Sequence, residues 1–106
     1  MSIKEVSKNE ALELLANHQI MIVDARDSDE IDELLTEDAI NLSLNNKDHF
    51  DMMVSMLDKD LEYLVYSENG VSSSRVAKAL CELGFTNVYN LTEGLVGLRK
   101  EGCMWE

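Results

Sequence analysis

The sequence predicts an α/β domain, a parallel sheet with helices on both faces, from three observations. Short apolar runs rich in branched residues alternate with stretches of helical spacing along the whole chain. The 106 residues are 45% hydrophobic and 28% charged, and a chain of this size buries roughly two thirds of its unfolded surface, enough for one core without disulfide or metal staples. No repeat, low-complexity tract or linker divides it, so a single domain over 1–106 is expected.

The elements follow in order. Ser7-Lys8-Asn9-Glu10 reads as a capping box, the serine hydroxyl taking an orphan helix amide while Glu10 reaches back. Ala11, Leu14 and Leu15 then recur at helical spacing, with Asn17 as the stop. Ile20-Met21-Ile22-Val23 is too short and too branched for a helix, and predicts a buried strand ending at Asp24. A short helix is expected from Ser28 to Leu35, its first-turn acids Asp29 and Glu30 favoured by the helix dipole. Ala39 to Leu42 reads as a strand, Lys47 to Leu57 as a helix with a Phe50, Val54 and Leu57 stripe, and Leu61 to Tyr66 as a strand. The loop Ser67 to Val71 leads into a helix faced by Val76, Ala77, Leu80 and Leu83, with Gly84 as its left-handed cap. Asn87 to Tyr89 is the last strand, and Thr92 caps a final helix that stops at Gly102.

Charge narrows the partners. Twenty-one acids against nine bases leave a net charge of −12, which repels nucleic acid and anionic membrane surfaces. Eight acids fall between Asp24 and Asp38, opposed only by Arg26. This run is a solvated helix face or a docking face for a basic protein partner. The N-terminus shows neither a signal peptide nor a membrane span, so a cytoplasmic location is expected. Cys81 and Cys103 make no disulfide framework, no metal-ligand spacing occurs, and no cofactor is implied.

In parallel sheets ligands gather at the carboxyl ends of strands, which directs attention to Asp24 to Asp27 and to Ser67 to Ser74. In the second segment Gly70 can take positive φ, and backbone amides can converge at a helix N-terminus into an anion cradle. Ser67, Glu68, Asn69, Gly70, Val71, Ser72 and Ser73 form this candidate anion-binding loop, with Asp24, Arg26 and Arg75 in support.

Taken together, Val23-Asp24-Ala25-Arg26 with Glu30, Ala39-Ile40-Asn41-Leu42, Leu64-Val65-Tyr66, Arg75 to Leu80 and Leu83 to Leu91 resemble, in order and spacing, the rhodanese-like domain family. The resemblance implies a three-layer α/β/α fold with about five parallel strands, and sulfur transfer through a loop of the form C-x-x-G-x-R-S. Aligned on Gly70, Ser67 stands at the cysteine and Ser72 at the arginine. Leu34-Leu35-Thr36 replaces the usual G-H-I, and the closing G-G-x-x-x-W is reduced to Glu93-Gly94 with Leu98.

These departures bear on chemistry. A thiolate at a helix N-terminus can hold a persulfide, whereas a serine hydroxyl stays protonated and cannot store sulfur in that form. The loop arginine would bind an anionic donor; Ser72 offers only a neutral hydroxyl, and Glu68 adds like charge. Ser67 as an oxygen nucleophile needs a base, and neither His18 nor His49 is placed to serve. The expectation is therefore a catalytically degenerate module that binds a protein or a small anion, with Ser67 and Ser72 to Ser74 as capping and loop hydroxyls.

The alternative is an active sulfurtransferase or persulfide carrier using Cys103 near the C-terminus or, less readily, Cys81, read as a small hydrophobe on a helix flank. Arg75 is expected to pair with Asp24 or Glu68, and Arg26 with neighbours such as Glu30. Met52, Met53 and Met56 are read as core filling. Trp105 either packs back on the domain or marks a contact.

Overall fold

The computed structural model describes residues 3–17, 20–27, 31 and 39–100. Strands β1 (Lys4–Val6), β2 (Met21–Asp24), β3 (Ile40–Asn41), β4 (Glu62–Tyr66) and β5 (Asn87–Leu91) form one parallel sheet in the order β1-β5-β4-β2-β3. Helices α1 (Lys8–Asn17), α2 (Lys47–Ser55), α3 (Val71–Glu82) and α4 (Gly94–Lys100) supply the crossovers and their flanks.

The sheet divides the core by strand parity, because successive side chains point to opposite faces. Tyr63 and Val65 of β4 join Val23, Phe50, Val76, Ala77 and Leu80 on the α2 and α3 side. Leu64 and Tyr66 join Ile22, Ala11, Leu91 and Leu95 on the α1 and α4 side. Tyr63 to Tyr66 are all fully buried, which explains why β4 reads as a continuous apolar run instead of an alternating one.

Local signals hold where hydrogen bonds close over three or four residues. The Ser7 amide donates to Glu10 Oε1 at 2.9 Å and the Glu10 amide to Ser7 Oγ at 3.3 Å, completing the capping box. Gly84, at φ +101°, ends α3 in the left-handed conformation, with the Phe85 amide returning to Leu80 O at 3.0 Å.

Other expectations need correction. The sheet's fifth strand is β1, which carries no period-2 apolar pattern and exists through its pairing with β5, Glu5 opposite Asn90. β5 runs two residues beyond Tyr89, and β3 is confined to Ile40–Asn41. α2 stops at Ser55, with Met56 as its cap. Met52 and Met56 are exposed, and only Met53 of that trio packs against the core. Thr92 does not cap α4: its hydroxyl donates to Glu5 Oε1 at 2.8 Å, and the helix starts at Gly94. The helix expected over 28–35 lies outside the described residues apart from position 31, as do the end of the last helix at Gly102, Cys103 and Trp105.

Candidate functional site at the strand ends

Beyond β4 the chain turns through Ser67 to Gly70 into α3. Ser67 is 1% exposed, and its Oγ accepts the amides of Gly70 and Ser73, both at 3.1 Å, while donating to Ser73 Oγ at 3.1 Å. The Val71 amide is held by Asn69 Oδ1 at 3.1 Å. Three amides of the loop are thus satisfied from within it, and the hydroxyl at its centre takes two of them. The Ser72 hydroxyl and the Ser74 hydroxyl make no hydrogen bond among the described residues, and the Ser73 hydroxyl accepts only from Ser67 Oγ, so of the four hydroxyls Ser67 alone takes helix and loop amides.

Glycine is required at two points of this turn. Gly70 sits at φ +89°, and a Cβ there would lie 2.1 Å from Thr92 O. Gly94 sits at φ +64° with room for no Cβ, which would stand 2.6 Å from Glu68 O. That close approach lets the Leu95 amide reach Ser67 O at 3.0 Å and the Val96 amide reach Glu68 O at 2.8 Å. The first turn of α4, which lacks a side-chain cap from Thr92, is satisfied by the loop's carbonyls.

One flank of the loop is ionic and closed. Asp24, fully buried at the end of β2, accepts Arg26 Nη2 at 2.7 Å, Arg26 Nε at 3.1 and 3.2 Å, the Arg26 amide at 2.9 Å and Tyr66 Oη at 2.7 Å. Arg26 is 7% exposed, lies over the Tyr66 ring with its guanidinium carbon 5.8 Å from the centroid, and has Glu68 Oε1 at 4.0 Å. Its pKa is raised, chiefly by the hydrogen bond to Asp24, against the opposing effect of burial. Asn41 Nδ2 ties down the backbone here, donating to Asp24 O at 2.9 Å and Arg26 O at 2.7 Å. Arg26 therefore takes the partners expected of Arg75. Arg75 is exposed on α3 and makes no ion pair among the described residues.

Next to this network Asp27 accepts hydrogen bonds from Ser43 Oγ and from Asn45 Nδ2, the latter at 2.9 and 3.0 Å. Those bonds, the Ser43 one first, hold its carboxyl below the ordinary value. Of the acidic run, Asp24 is a buried ion-pair partner and no part of a surface, while Asp29, Glu30, Asp32, Glu33, Glu37 and Asp38 lie outside the described residues.

The other flank joins β1 to β5. Glu5 Oε1 accepts Asn90 Nδ2 at 2.9 Å and Thr92 Oγ1 at 2.8 Å, and the buried Asn90 Oδ1 has no partner among the described residues. Sequence reasoning missed this cluster, as it missed the Tyr66 hydroxyl and the Asn41 clamp. For Asn90 a signal existed: Val88 and Asn90 share one face of β5, so a polar residue stands where alternation calls for an inward side chain.

The arrangement carries no activated nucleophile among the described residues. No carboxylate or imidazole hydrogen-bonds to Ser67, and His49 lies on α2 with its amide held by Asn46 Oδ1. Cys81 is buried in the core, and that burial pushes its thiol pKa up. No three His, Cys, Asp or Glu side chains among the described residues are grouped to hold a metal ion, and no helix among them is long and apolar enough to cross a membrane.

Comparison with known proteins converges on one family. The model for "Rhodanese-like domain" matches residues 7–101. The chain is 37% identical over 94 residues to thiosulfate sulfurtransferase GlpE of Coxiella burnetii, covering 89% of this chain and 85% of that one. It is 33% identical over 93 residues to the GlpE of Shewanella oneidensis, covering 88% and 89%. Among solved structures, the rhodanese-like domain protein from Staphylococcus aureus superposes with a TM-score of 0.72 at 21% identity, over 88% of each chain.

Proposed function

We propose, from the premise that this chain belongs to the rhodanese-like domain family, that it is a catalytically degenerate member which binds a protein partner or a small anion and regulates through that binding. The observation that carries this reading is the state of Ser67. It stands where the resemblance puts the family's loop cysteine, and its hydroxyl, 1% exposed, occupies the amides of Gly70 and Ser73.

The same two amides would stabilise a thiolate at that position, which is the physical basis of a reactive loop cysteine. An alcohol in their reach stays protonated, has no base beside it and holds no sulfane sulfur. Cys81 offers no substitute, since a thiol with a raised pKa in the core is a poor nucleophile at neutral pH. Exposed Arg75, with Ser72 on the same helix turn, supports a small anion as ligand. For a protein ligand we propose a basic partner at the acidic run that follows the buried Asp24, from Asp27 to Asp38.

Intact mass spectrometry after incubation with thiosulfate and, separately, polysulfide tests the reading. The expected result is no reductant-reversible gain of sulfur on the natural chain, and a gain on Ser67→Cys, tested alone and together with Ser72→Arg. One sulfur mapped to Cys103 or Cys81 of the natural chain would overturn it and make the protein a persulfide carrier with a relocated thiol.

A further inference from the structure

Among the chain's asparagines only Asn69 is followed by glycine, and the pair lies in the turn that leads into α3. An asparagine closes on itself when the next backbone nitrogen loses its proton and attacks the side-chain amide carbon, and a following glycine, with no Cβ, leaves that approach open. The structure treats the two groups of this reaction differently. Asn69 is exposed to water, with its Oδ1 tied to the Val71 amide at 3.1 Å. Gly70 is buried, and its N–H, the proton that must leave, donates at 3.1 Å to Ser67 Oγ, itself on a residue only 1% exposed.

The turn is also held from α4. The Leu95 and Val96 amides donate to the carbonyls of Ser67 and Glu68 at 3.0 and 2.8 Å, and Asn69 N and Cα lie 2.8 Å from the point where a Cβ on Gly94 would stand. While the turn is closed, base in solution has no path to the Gly70 proton, as for any buried hydrogen-bonded amide, whose exchange waits for local opening. An opening that parts Gly70 from Ser67 exposes the nucleophile beside an electrophile already in water.

We propose that Asn69 is a site of spontaneous deamidation, gated by the hydrogen bond from the Gly70 amide to Ser67. In the open turn a base takes the Gly70 proton, the nitrogen bonds to Asn69 Cγ to close a cyclic imide, and the Cγ–Nδ2 bond breaks to release ammonia, which carries a proton away in the balance. Water then opens the ring at either carbonyl, giving an α-aspartyl or an isoaspartyl residue at position 69; water is gained, ammonia is lost, and nothing is oxidised or reduced. The α-aspartyl form refits the turn, because its carboxylate can accept the Val71 amide at the positive end of the twelve-residue α3. The isoaspartyl form lengthens the backbone by a methylene against Gly94, where not even a Cβ has room. Either product adds a negative charge to the loop beside Glu68. The deamidation goes beyond the proposed function, and the sulfur-loading result leaves it untouched; only the weaker hold on a small anion that follows from the added charge rests on that reading.

Incubation of the intact chain at mildly alkaline pH, followed by peptide mapping in a mass spectrometer, tests it. The first asparagine converted in the folded chain should be Asn69, at a rate at least about tenfold below that of the same chain unfolded in guanidinium chloride. Ser67→Ala, which removes the acceptor of the Gly70 amide, should speed the conversion about 5- to 30-fold. If that variant does not fold, deuterium exchange at the Gly70 amide of the natural chain supplies the second measure. Low concentrations of guanidinium chloride should speed exchange and deamidation by the same factor, since both wait for one opening and for removal of one proton. Conversion of another asparagine first, equal rates in the folded and unfolded chain, an unchanged rate in folded Ser67→Ala, or deamidation that does not follow Gly70 exchange overturns the inference.

Discussion

The two flanks of the Ser67 loop lie at the same end of the same sheet and treat their polar groups in opposite ways. Toward β2, Asp24, Arg26, Tyr66 and Asn41 form a network in which two buried charges face each other through paired hydrogen bonds. Toward β1 and β5, an exposed glutamate orients an asparagine whose oxygen is left over. The difference teaches where each flank sits in the division of labour. A saturated ionic network holds a turn in one geometry because loss of any member strands another in a medium of low polarity. A half-satisfied cluster holds its strands with one bond unmade among the described residues, and so constrains them less.

Breaking the β2 flank carries the largest expected effect. Asp24→Ala removes from the buried Arg26 guanidinium the carboxylate that holds it through paired hydrogen bonds, leaving Glu68 at 4.0 Å, and should cost about 3–5 kcal/mol in urea unfolding at neutral pH. A loss under about 1 kcal/mol would mean that Arg26 swings out to Glu68 and water, and that the flank is not the rigid element described. The loop between the flanks comes next. Ser67→Ala strips the amides of Gly70 and Ser73 of their acceptor and should cost about 1–2 kcal/mol by the same measurement.

The β1 and β5 flank should respond least. Asn90→Leu removes an unsatisfied acceptor and one bond to an exposed carboxylate, so the stability change should stay within about 1 kcal/mol. A larger loss would show that Asn90 Oδ1 is already well served, erasing the contrast between the flanks. The smallest effect concerns acid. Asp27 has a folded-state pKa below its ordinary 3.8, so its contribution is fully present above that value and is lost as pH falls through the lower folded value. Stability curves of the natural chain and of Asp27→Asn should therefore differ above pH 4 and converge in stronger acid.

Legibility from sequence followed the range of the interaction. The capping box at Ser7, the left-handed Gly84 and the apolar run of β4 rest on contacts within a few residues or on composition, and each was readable. So was the loop, because Gly70 between a strand and a helix marks a turn that only glycine enters. Ion-pair choice was not readable: the sequence offers Asp24 or Glu68 to Arg75 and Glu30 to Arg26, whereas the turn after β2 folds Arg26 back onto Asp24 with Glu68 at 4.0 Å. The methionines of α2 misled for a related reason, since helical spacing names a face without saying which face is covered.

By itself, then, the sequence determined the alternation of strands and helices, the turn at Ser67 to Gly70 and the absence of a thiol from it, since backbone preference, apolar period and residue chemistry are local properties. The tertiary structure alone decided that Lys4–Val6 becomes an edge strand, that Glu5 meets Asn90 across 85 positions of chain, and that the start of α4 is capped by the loop's own carbonyls. Those outcomes depend on which surfaces are brought together when the two faces of the sheet are buried, and no signal confined to a few neighbouring residues encodes that meeting.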